Sequence, residues 1–241
     1  MLSRAVSRRR FLAGLGAAAW AAHESLSAED LSALGTRKFT RGSKRNCVLV
    51  DFGDQCILHE SRGGFALALT AARIPFEPVP PGEMLPAHFA IVAGGVLPNA
   101  QSADWLRLFA RRGGTVIYES AAAFAEPPAI AVERDLLQGH FGISVGAPVE
   151  LWRAQQEERI RADGLPYIHY HRPLSATIRD FSRVIPVSCR HHLALATVGD
   201  TAVACSQKIG PGSFIFLGSP LGPHLRFGDP QAHALLKAFL A

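Results

Sequence analysis

Three continuous apolar runs limit what this chain can fold into more than any other feature of its sequence. They occupy residues 47–52, 89–93 and 115–118. Short apolar runs bounded by Gly, Pro or Asp are typical of strands buried on both faces. Residues 59–73, and the segment around Trp105 and Phe109, have the apolar content and length of helices. Strands that alternate with helices of this length predict a parallel sheet with helices on both of its faces.

The pattern changes in the C-terminal half of the chain. Residues 132–141 predict another short helix, but from about residue 147 to 217 short alternating segments are separated by turn residues. One of these turns, Gly199-Asp200, predicts a β-hairpin. Residues 213–217 are a further apolar run, and Asp229-Pro230 predicts the start of a last helix. The predicted fold class is therefore α/β, with a mostly parallel, flavodoxin-like sheet and a β-rich insertion in the C-terminal half.

The first 22 residues resemble a twin-arginine export signal. Arg8 and Arg9 are followed by Phe11-Leu12, an Ala/Gly-rich segment and a small-residue cleavage pattern at residues 19–21. The segment is too short and too rich in Gly and Ala to predict a membrane-spanning helix. The resemblance implies that the twin-arginine translocase exports the folded protein to the bacterial periplasm or beyond. The predicted organisation is a signal peptide over 1–28, a basic linker over 29–45 and one domain over 46–241.

Much of the positive charge lies outside the predicted domain. The chain has 25 Lys and Arg against 20 Asp and Glu, and nine of the basic residues precede position 46. The domain itself is therefore close to neutral, whereas a nucleic-acid-binding domain presents clustered basic residues on one face. We expect no nucleic-acid partner, no permanent membrane span and no resident cofactor.

Three phrases of the sequence resemble the class I glutamine amidotransferase-like superfamily. They are the strand, Trp-containing helix and strand over 89–120, the Leu-Leu-x-Gly-x-Phe-Gly-Ile at 136–143, and the Ile-Gly-Pro-Gly-Ser-Phe-Ile-Phe-Leu-Gly at 209–218. The order is most similar to the non-amidotransferase branch, which contains the ThuA-like proteins and the domain attached to some β-galactosidases. The resemblance extends over roughly residues 46–241 and implies one amidotransferase-like α/β domain.

The residues that hydrolyse glutamine in that superfamily do not occur at the matching positions. Catalytic members carry a cysteine on a tight turn after a strand, and a His-Pro-Glu after a late strand activates it. Here the first position reads Glu119-Ser120-Ala121, and the late strand is followed by Gly218-Ser219-Pro220. A thiolate mechanism needs a base within hydrogen-bond reach of the sulfur. The sequence therefore predicts no glutamine hydrolysis.

Polar residues gather at the carboxyl ends of the predicted strands, where open α/β sheets bind ligands. A hydrolase could use Ser120 or Glu119 with His224, which belongs to an irregular loop predicted over 219–229. The competing interpretation is that Ser120 or Glu119 caps the next helix, since no Gly-x-Ser-x-Gly surrounds the serine. For Asp229 and Arg226, helix capping and a surface ion pair are the alternatives to ligand binding. The candidate ligand-binding residues are Asp51, Asp54, Gly94, Gly95, Arg226 and Asp229.

Two histidines raise the question of a metal site. His169 and His171 alternate along a predicted strand, so both would lie on one face and could share a metal with Asp180 or with His191 and His192. Two ligands do not make a site, and a half-exposed polar strand face explains the same pattern. No Cys-x-x-Cys pair occurs in the sequence. We therefore expect no bound metal.

The sequence leads to one predicted function and two alternatives. The prediction is an exported amidotransferase-like domain that lacks the Cys, His and Glu of its superfamily and serves as an accessory or binding module for a small molecule or a sugar. One alternative is a periplasmic hydrolase that uses Ser120 or Glu119 with His224. The other is a metal-dependent enzyme built on His169 and His171.

Overall fold

The structure of the chain is a computed structural model that describes residues 47–83, 86–151, 153, 167–180, 182–189 and 194–241. The predicted signal peptide and linker lie outside these residues, as do His191 and His192. The strands are β1 Cys47–Val50, β2 Phe76–Val79, β3 Phe89–Gly95, β4 Thr115–Ser120, β5 Ile143–Val145, β6 Val149–Glu150, β7 Tyr167–Tyr170, β8 Ala176–Arg179, β9 Arg183–Val184, β10 Val187–Cys189, β11 Ala194–Val198, β12 Thr201–Ile209 and β13 Gly212–Leu217.

Five α-helices accompany the strands within the described residues. They are α1 His59–Ala71, α2 Ala100–Arg111, α3 Pro127–Leu136, α4 Gly222–Arg226 and α5 Pro230–Phe239. A π-helical turn, Leu137–Phe141, continues α3. No helix of the described chain is long and apolar enough to cross a membrane.

Nine strands form one sheet, in the order β2-β1-β3-β4-β13-β12-β11-β7-β8. The first five run parallel to one another, and the rest pair in antiparallel fashion. The change of direction occurs at β12, because only the short turn at Gly210-Pro211 separates it from β13 and a hairpin is necessarily antiparallel. The remaining short strands pair as β5 with β10 and β6 with β9. The predicted α/β class and the mostly parallel sheet are confirmed.

Helices cover both faces of this sheet and divide the core into two. On what we call the front face, α1, α4 and α5 bury residues such as Phe65, Leu225 and Leu236. On the back face, α2 and the turn after α3 bury residues such as Leu106 and Phe141. The carboxyl ends of β1, β3, β4 and β13 meet at one edge of the sheet, as the parallel pairing requires.

Two predicted elements are wrong in detail. The helix predicted over 132–141 starts at Pro127, because a proline is readily accommodated in the first turn of a helix. The segment predicted as an irregular loop over 219–229 contains the short helix α4, which has Pro223 in its first turn. This helix is decisive for the site, since its first residues contact the end of β4.

Candidate functional site

The last two residues of β4 lie on opposite faces of the sheet. Tyr118 packs in the back-face core, Ile117 in the front-face core, and Glu119 and Ser120 continue this alternation. Glu119 and Ser120 are both buried, with 0% and 1% of their surface exposed, respectively. The sequence placed them together at one edge of the sheet, but the structure gives them separate surroundings.

Glu119 lies beneath the start of α4. Its Oε2 accepts hydrogen bonds from the backbone N–H groups of Leu221 and Gly222, both at 2.8 Å. Its Oε1 has no hydrogen-bond partner among the described residues, and neither has the buried hydroxyl of Ser61 on α1. The Ser61 hydroxyl is close enough to Glu119 to lower the pKa of the carboxyl group. The carboxyl group therefore joins β4 to α4, with α1 beside it.

Close contact between glycines brings α1 and α4 together around Glu119. A Cβ atom on Gly222 would lie 2.5 Å from the Cβ of Ser61, and one on Gly64 would lie 3.0 Å from the backbone nitrogen of Arg226 and closer still to the carbonyl oxygen of Gly222. Real Cβ atoms do not come this close to other heavy atoms. Only glycine at these two positions lets the helices approach far enough to enclose the carboxyl group.

Further polar groups surround Glu119 on the front face. The hydroxyl of Ser219 donates to Asp180 Oδ2 at 3.0 Å, and Asp180 Oδ1 accepts from the backbone N–H of Ser182 at 2.7 Å. The pKa of Tyr170 is raised by burial and also by the charges of Glu119 and Asp180, so all three side chains are near neighbours. We call the set of Ser61, Glu119, Tyr170, Asp180 and Ser219 the front-face cluster; each of its members is at least 95% buried.

Burial dominates the electrostatics of the front-face cluster. It raises the pKa of Glu119 to about 7, because a low-dielectric site disfavours the charged form. The nearby Ser61 hydroxyl and the N–H groups of Gly222 and Leu221 oppose this change, and the carboxylate of Asp180 adds to it. No cation is among the groups that shift this pKa. Glu119 therefore gains and loses its proton near neutral pH.

Ser120 belongs to a second buried network on the back face, centred on Glu133 of α3. Glu133 Oε2 accepts from the Tyr118 hydroxyl at 2.6 Å and from the Leu97 N–H at 3.0 Å. Glu133 Oε1 accepts from the Ser120 hydroxyl, whose oxygen in turn accepts from the Ala122 N–H at 3.1 Å. Burial raises the pKa of Glu133 to about 7. The serine is thus held by internal partners and is not presented as an exposed nucleophile.

The structure does not bring Ser120 and His224 together. His224 is on α4, which packs on the front face, whereas the Ser120 side chain points into the back-face network. Its hydroxyl is bonded to Glu133 rather than to an imidazole. A serine nucleophile requires a base within hydrogen-bond reach, and no histidine supplies one to Ser120 in the described structure.

The candidate residues near β1 and β3 have two different environments. Asp51 accepts from Arg62 at 2.6 Å and from the Gly53 N–H at 3.0 Å, and about a third of each side chain in the ion pair is exposed. Asp54 is exposed beside them. Gly94 and Gly95 are buried beneath the loop at residues 52–58, where the Gly94 carbonyl accepts from the N–H groups of residues 57 and 58. Of these four candidates, Asp51 and Asp54 are accessible to a ligand, and Gly94 and Gly95 are not.

Asp229 is the N-cap of α5, because its Oδ1 accepts from the backbone N–H groups of Gln231 and Ala232. This is the capping alternative that the sequence left open. Arg226 lies at the end of α4 with its side chain exposed, and no ion pair of Arg226 occurs within the described chain.

His169 lies in β7 and His171 directly follows that strand; both are exposed, and each is within hydrogen-bond distance of a threonine. His171 Nε2 is 3.1 Å from Thr197 Oγ1, and His169 Nδ1 is 3.4 Å from Thr177 Oγ1. Asp180 belongs to the front-face cluster instead. Among the described residues, no group of three His, Cys, Asp or Glu side chains is arranged to hold a metal ion.

Sequence reasoning missed Glu133 as a site residue, although its pattern contained a signal. Ile130, Glu133 and Leu137 are spaced three and four residues apart, so they share one side of a helix. A carboxylate on an otherwise apolar helix side indicates a buried polar contact. Ser61 offered no such signal, because a serine near the start of a helix is ordinary.

Comparison with known proteins identifies the fold of this chain but not its activity. No family model matches the chain, and no curated protein matches its sequence. A ThuA-like protein from Bacteroides uniformis matches with a TM-score of 0.52 and 8% identity, over 84% of this chain and 93% of that one. A cytoplasmic protein from Salmonella typhimurium LT2 matches with a TM-score of 0.58 and 8% identity, over 81% and 98%.

A β-galactosidase from Bacillus circulans sp. alkalophilus also matches, with a TM-score of 0.55 and 14% identity over 81% of this chain. The chain covers only 30% of that enzyme, and it spans about a third of the length of the glycosidases that it matches. At these identities the likeness concerns the fold alone. The chain has the α/β fold of the ThuA-like proteins, in agreement with the amidotransferase-like resemblance of its sequence.

Proposed function

We propose that this protein is an exported accessory domain that binds a small polar ligand and does not itself catalyse a reaction. The observation that carries the proposal is the state of the two polar side chains that end β4. Both are buried, and internal donors or acceptors already occupy the Ser120 hydroxyl and one oxygen of Glu119. Neither group is free to attack a substrate.

The ligand that this edge of the sheet suits best is a sugar. The Asp51–Arg62 pair and Asp54 offer partly exposed carboxylates and a guanidinium group, which accept from and donate to hydroxyl groups. The same fold makes up about a third of a β-galactosidase and of an exo-β-1,4-mannosidase. Both proteins are enzymes named for the sugars galactose and mannose, which supports a carbohydrate ligand here.

Titration with galactose, mannose and their β-1,4-linked disaccharides, followed by NMR of the backbone amides, tests the ligand class. We expect the shifted amides to cluster near residues 51–54, and Arg62→Ala to weaken binding at least tenfold. Lys237→Ala, on the exposed side of α5, is the control and should bind as the wild type does. Shifts spread over the surface, or none at millimolar sugar, would contradict a sugar site at this edge.

The absence of catalysis is tested with serine-directed acylating probes and intact-mass measurement. We expect no label on the wild type, because the Ser120 hydroxyl donates to Glu133 and no histidine of the described residues accepts from it. Ser120→Ala should lower the free energy of unfolding by about 1–2 kcal/mol, since two buried hydrogen bonds are lost. Stoichiometric labelling of Ser120 that disappears in His224→Ala would instead establish the hydrolase.

Export is tested by replacing Arg8 and Arg9 with lysine. The twin-arginine translocase reads the arginine pair as an address and not as charge, so the variant should accumulate in the cytoplasm. The measurement is the distribution of the protein between cytoplasmic and periplasmic fractions. If the lysine variant still reaches the periplasm, the signal assignment is wrong.

A further inference from the structure

The connection from β13 to α4 contacts the rest of the fold through the Gly218 backbone and the Ser219 hydroxyl, and through one buried carboxyl group. Residues 218–222 cross the end of β4, and the N–H groups of Leu221 and Gly222 both donate to Glu119 Oε2 at 2.8 Å. The helix α4 follows at once, and it carries the exposed Arg226 and then Phe227, whose side chain is 81% exposed. Glu119 is therefore one of the groups that hold this surface in place.

The charged form of Glu119 has little to compensate it. The titratable groups that face it are Asp180 beyond β8, Tyr170 of β7 and Cys56 from the loop after β1, and none of these can become a cation. On α1, Arg62 is paired with Asp51. On α4, His224 and Arg226 make no hydrogen bond to the carboxyl group, since Oε2 bonds only to backbone N–H groups and Oε1 has no partner in the described chain.

The two oxygens of Glu119 differ in a way that suits protonation. Oε2 accepts from both N–H groups, whereas Oε1 is buried and makes no hydrogen bond within the described residues. The Ser61 hydroxyl is close to the carboxyl group. A proton on Oε1 removes the charge and leaves both N–H bonds at Oε2 intact. When that proton leaves, an uncompensated carboxylate is enclosed next to Asp180, and opening α4 to admit water relieves it.

We propose that Glu119 is a pH-operated clasp, closed over residues 218–222 and α4 when its carboxyl group is protonated and opening when it ionises. The clasp involves Glu119 and α4 and not the Asp51–Arg62 pair itself, so it does not depend on the sugar being the ligand. It makes the surface around Arg226 and Phe227 respond to pH across the neutral range.

The direction in which opening changes with pH follows from the linkage between opening and proton binding. A carboxyl group whose pKa is about 7 when closed, against 4.5 when hydrated, binds its proton more tightly in the closed state. Opening is therefore suppressed below pH 4.5 and becomes easier as pH rises to 7. The full difference in pKa corresponds to a change of about 300-fold in the opening equilibrium. Because a local opening hydrates the carboxylate only in part, we expect about 10- to 100-fold.

Hydrogen exchange of individual amides between pH 5 and 8, corrected for the intrinsic exchange rate, tests the clasp. The protection of Leu221 and Gly222 should fall about 10- to 100-fold over this range, while that of Ile117 in the middle of β4 changes much less. In Glu119→Gln, which stays neutral and retains a carbonyl acceptor, the protection of Leu221 and Gly222 should no longer depend on pH. Equal pH dependence in the variant and the wild type would overturn the proposal.

Glu133→Gln is the matched control, because Glu133 is as deeply buried and also has a pKa of about 7. It accepts from the Leu97 N–H on the back face, so this variant should alter the pH dependence of Leu97 and leave Leu221 and Gly222 as in the wild type. If Glu119→Gln does not fold, the pH dependence of amide protection in the wild type still tests the clasp. Protection at Leu221 and Gly222 that is flat from pH 5 to 8 would refute the clasp.

Discussion

Gly64→Ala is expected to lower the free energy of unfolding by about 3 kcal/mol, at the upper end of the usual effect of overpacking. The added methyl group would contact the backbone carbonyl oxygen of Gly222, and a backbone atom cannot turn aside as a side chain can. The helices α1 and α4 must then separate, and Glu119 would lose its enclosure. Chemical denaturation at pH 6 measures the change.

The neighbouring Gly63 provides a matched control. It lies in the same helix, but a Cβ built on it has no heavy atom within 4 Å. Gly63→Ala should therefore stabilise the protein by roughly 0.5–1 kcal/mol, because alanine loses less conformational freedom in a helix than glycine. Changes of opposite sign in the free energy of unfolding at these adjacent positions indicate a close contact between the helices at Gly64. Loss of stability in both variants would argue against such a contact.

Glu133→Ala should lower the free energy of unfolding by about 4 kcal/mol at pH 5. The change removes the acceptor of three buried donors, the Tyr118 hydroxyl, the Ser120 hydroxyl and the Leu97 N–H. Each donor is left without its partner in a site that water does not reach. Thermal and denaturant unfolding, with near-ultraviolet circular dichroism to report on Tyr118, measure the effect.

The loss of unfolding free energy in Glu133→Ala should become smaller as pH rises. The pKa of Glu133 is about 7 in the folded protein and near 4.5 when the chain unfolds, so its stabilising contribution is complete below 4.5 and declines up to pH 7. The difference between pH 5 and pH 8 amounts to about 2.5 kcal/mol. Asp135→Ala, on the exposed side of the same helix, should change stability by less than about 0.5 kcal/mol at either pH. A destabilisation by Glu133→Ala that is independent of pH would contradict this assignment.

Local sequence was sufficient for the central strands and the last helix of this fold. The apolar runs at β1, β3, β4 and β13 were recognisable because strands buried on both faces must be apolar throughout. The last helix was recognisable from Asp229-Pro230, since capping depends on neighbours in the chain. The alternation of strands with helices implied the parallel half of the sheet, because parallel neighbours need a crossover between them.

The site was beyond what local sequence determines. Glu119 and Ser120 are adjacent in the chain, and the sequence placed them together at one edge of the sheet. Their separation on two faces follows from the pleat of β4, which could have been anticipated. The hydrogen-bond partners of these two side chains could not have been anticipated from the sequence. Glu119 meets residues about 100 positions later in the chain, and Ser120 meets Glu133 only because α3 folds back across the sheet.

The sequence by itself thus determined the α/β class, the strands β1, β3, β4 and β13, most helices, and the absence of the amidotransferase cysteine and histidine at their expected positions, because each of these depends on residue types and short-range order. Only the tertiary structure decided that both polar side chains of β4 are enclosed. Burial is a property of the whole assembly: the approach of α1 to α4 through Gly64 and Gly222 excludes water from Glu119. That exclusion raises the pKa of an ordinary carboxyl group to about 7.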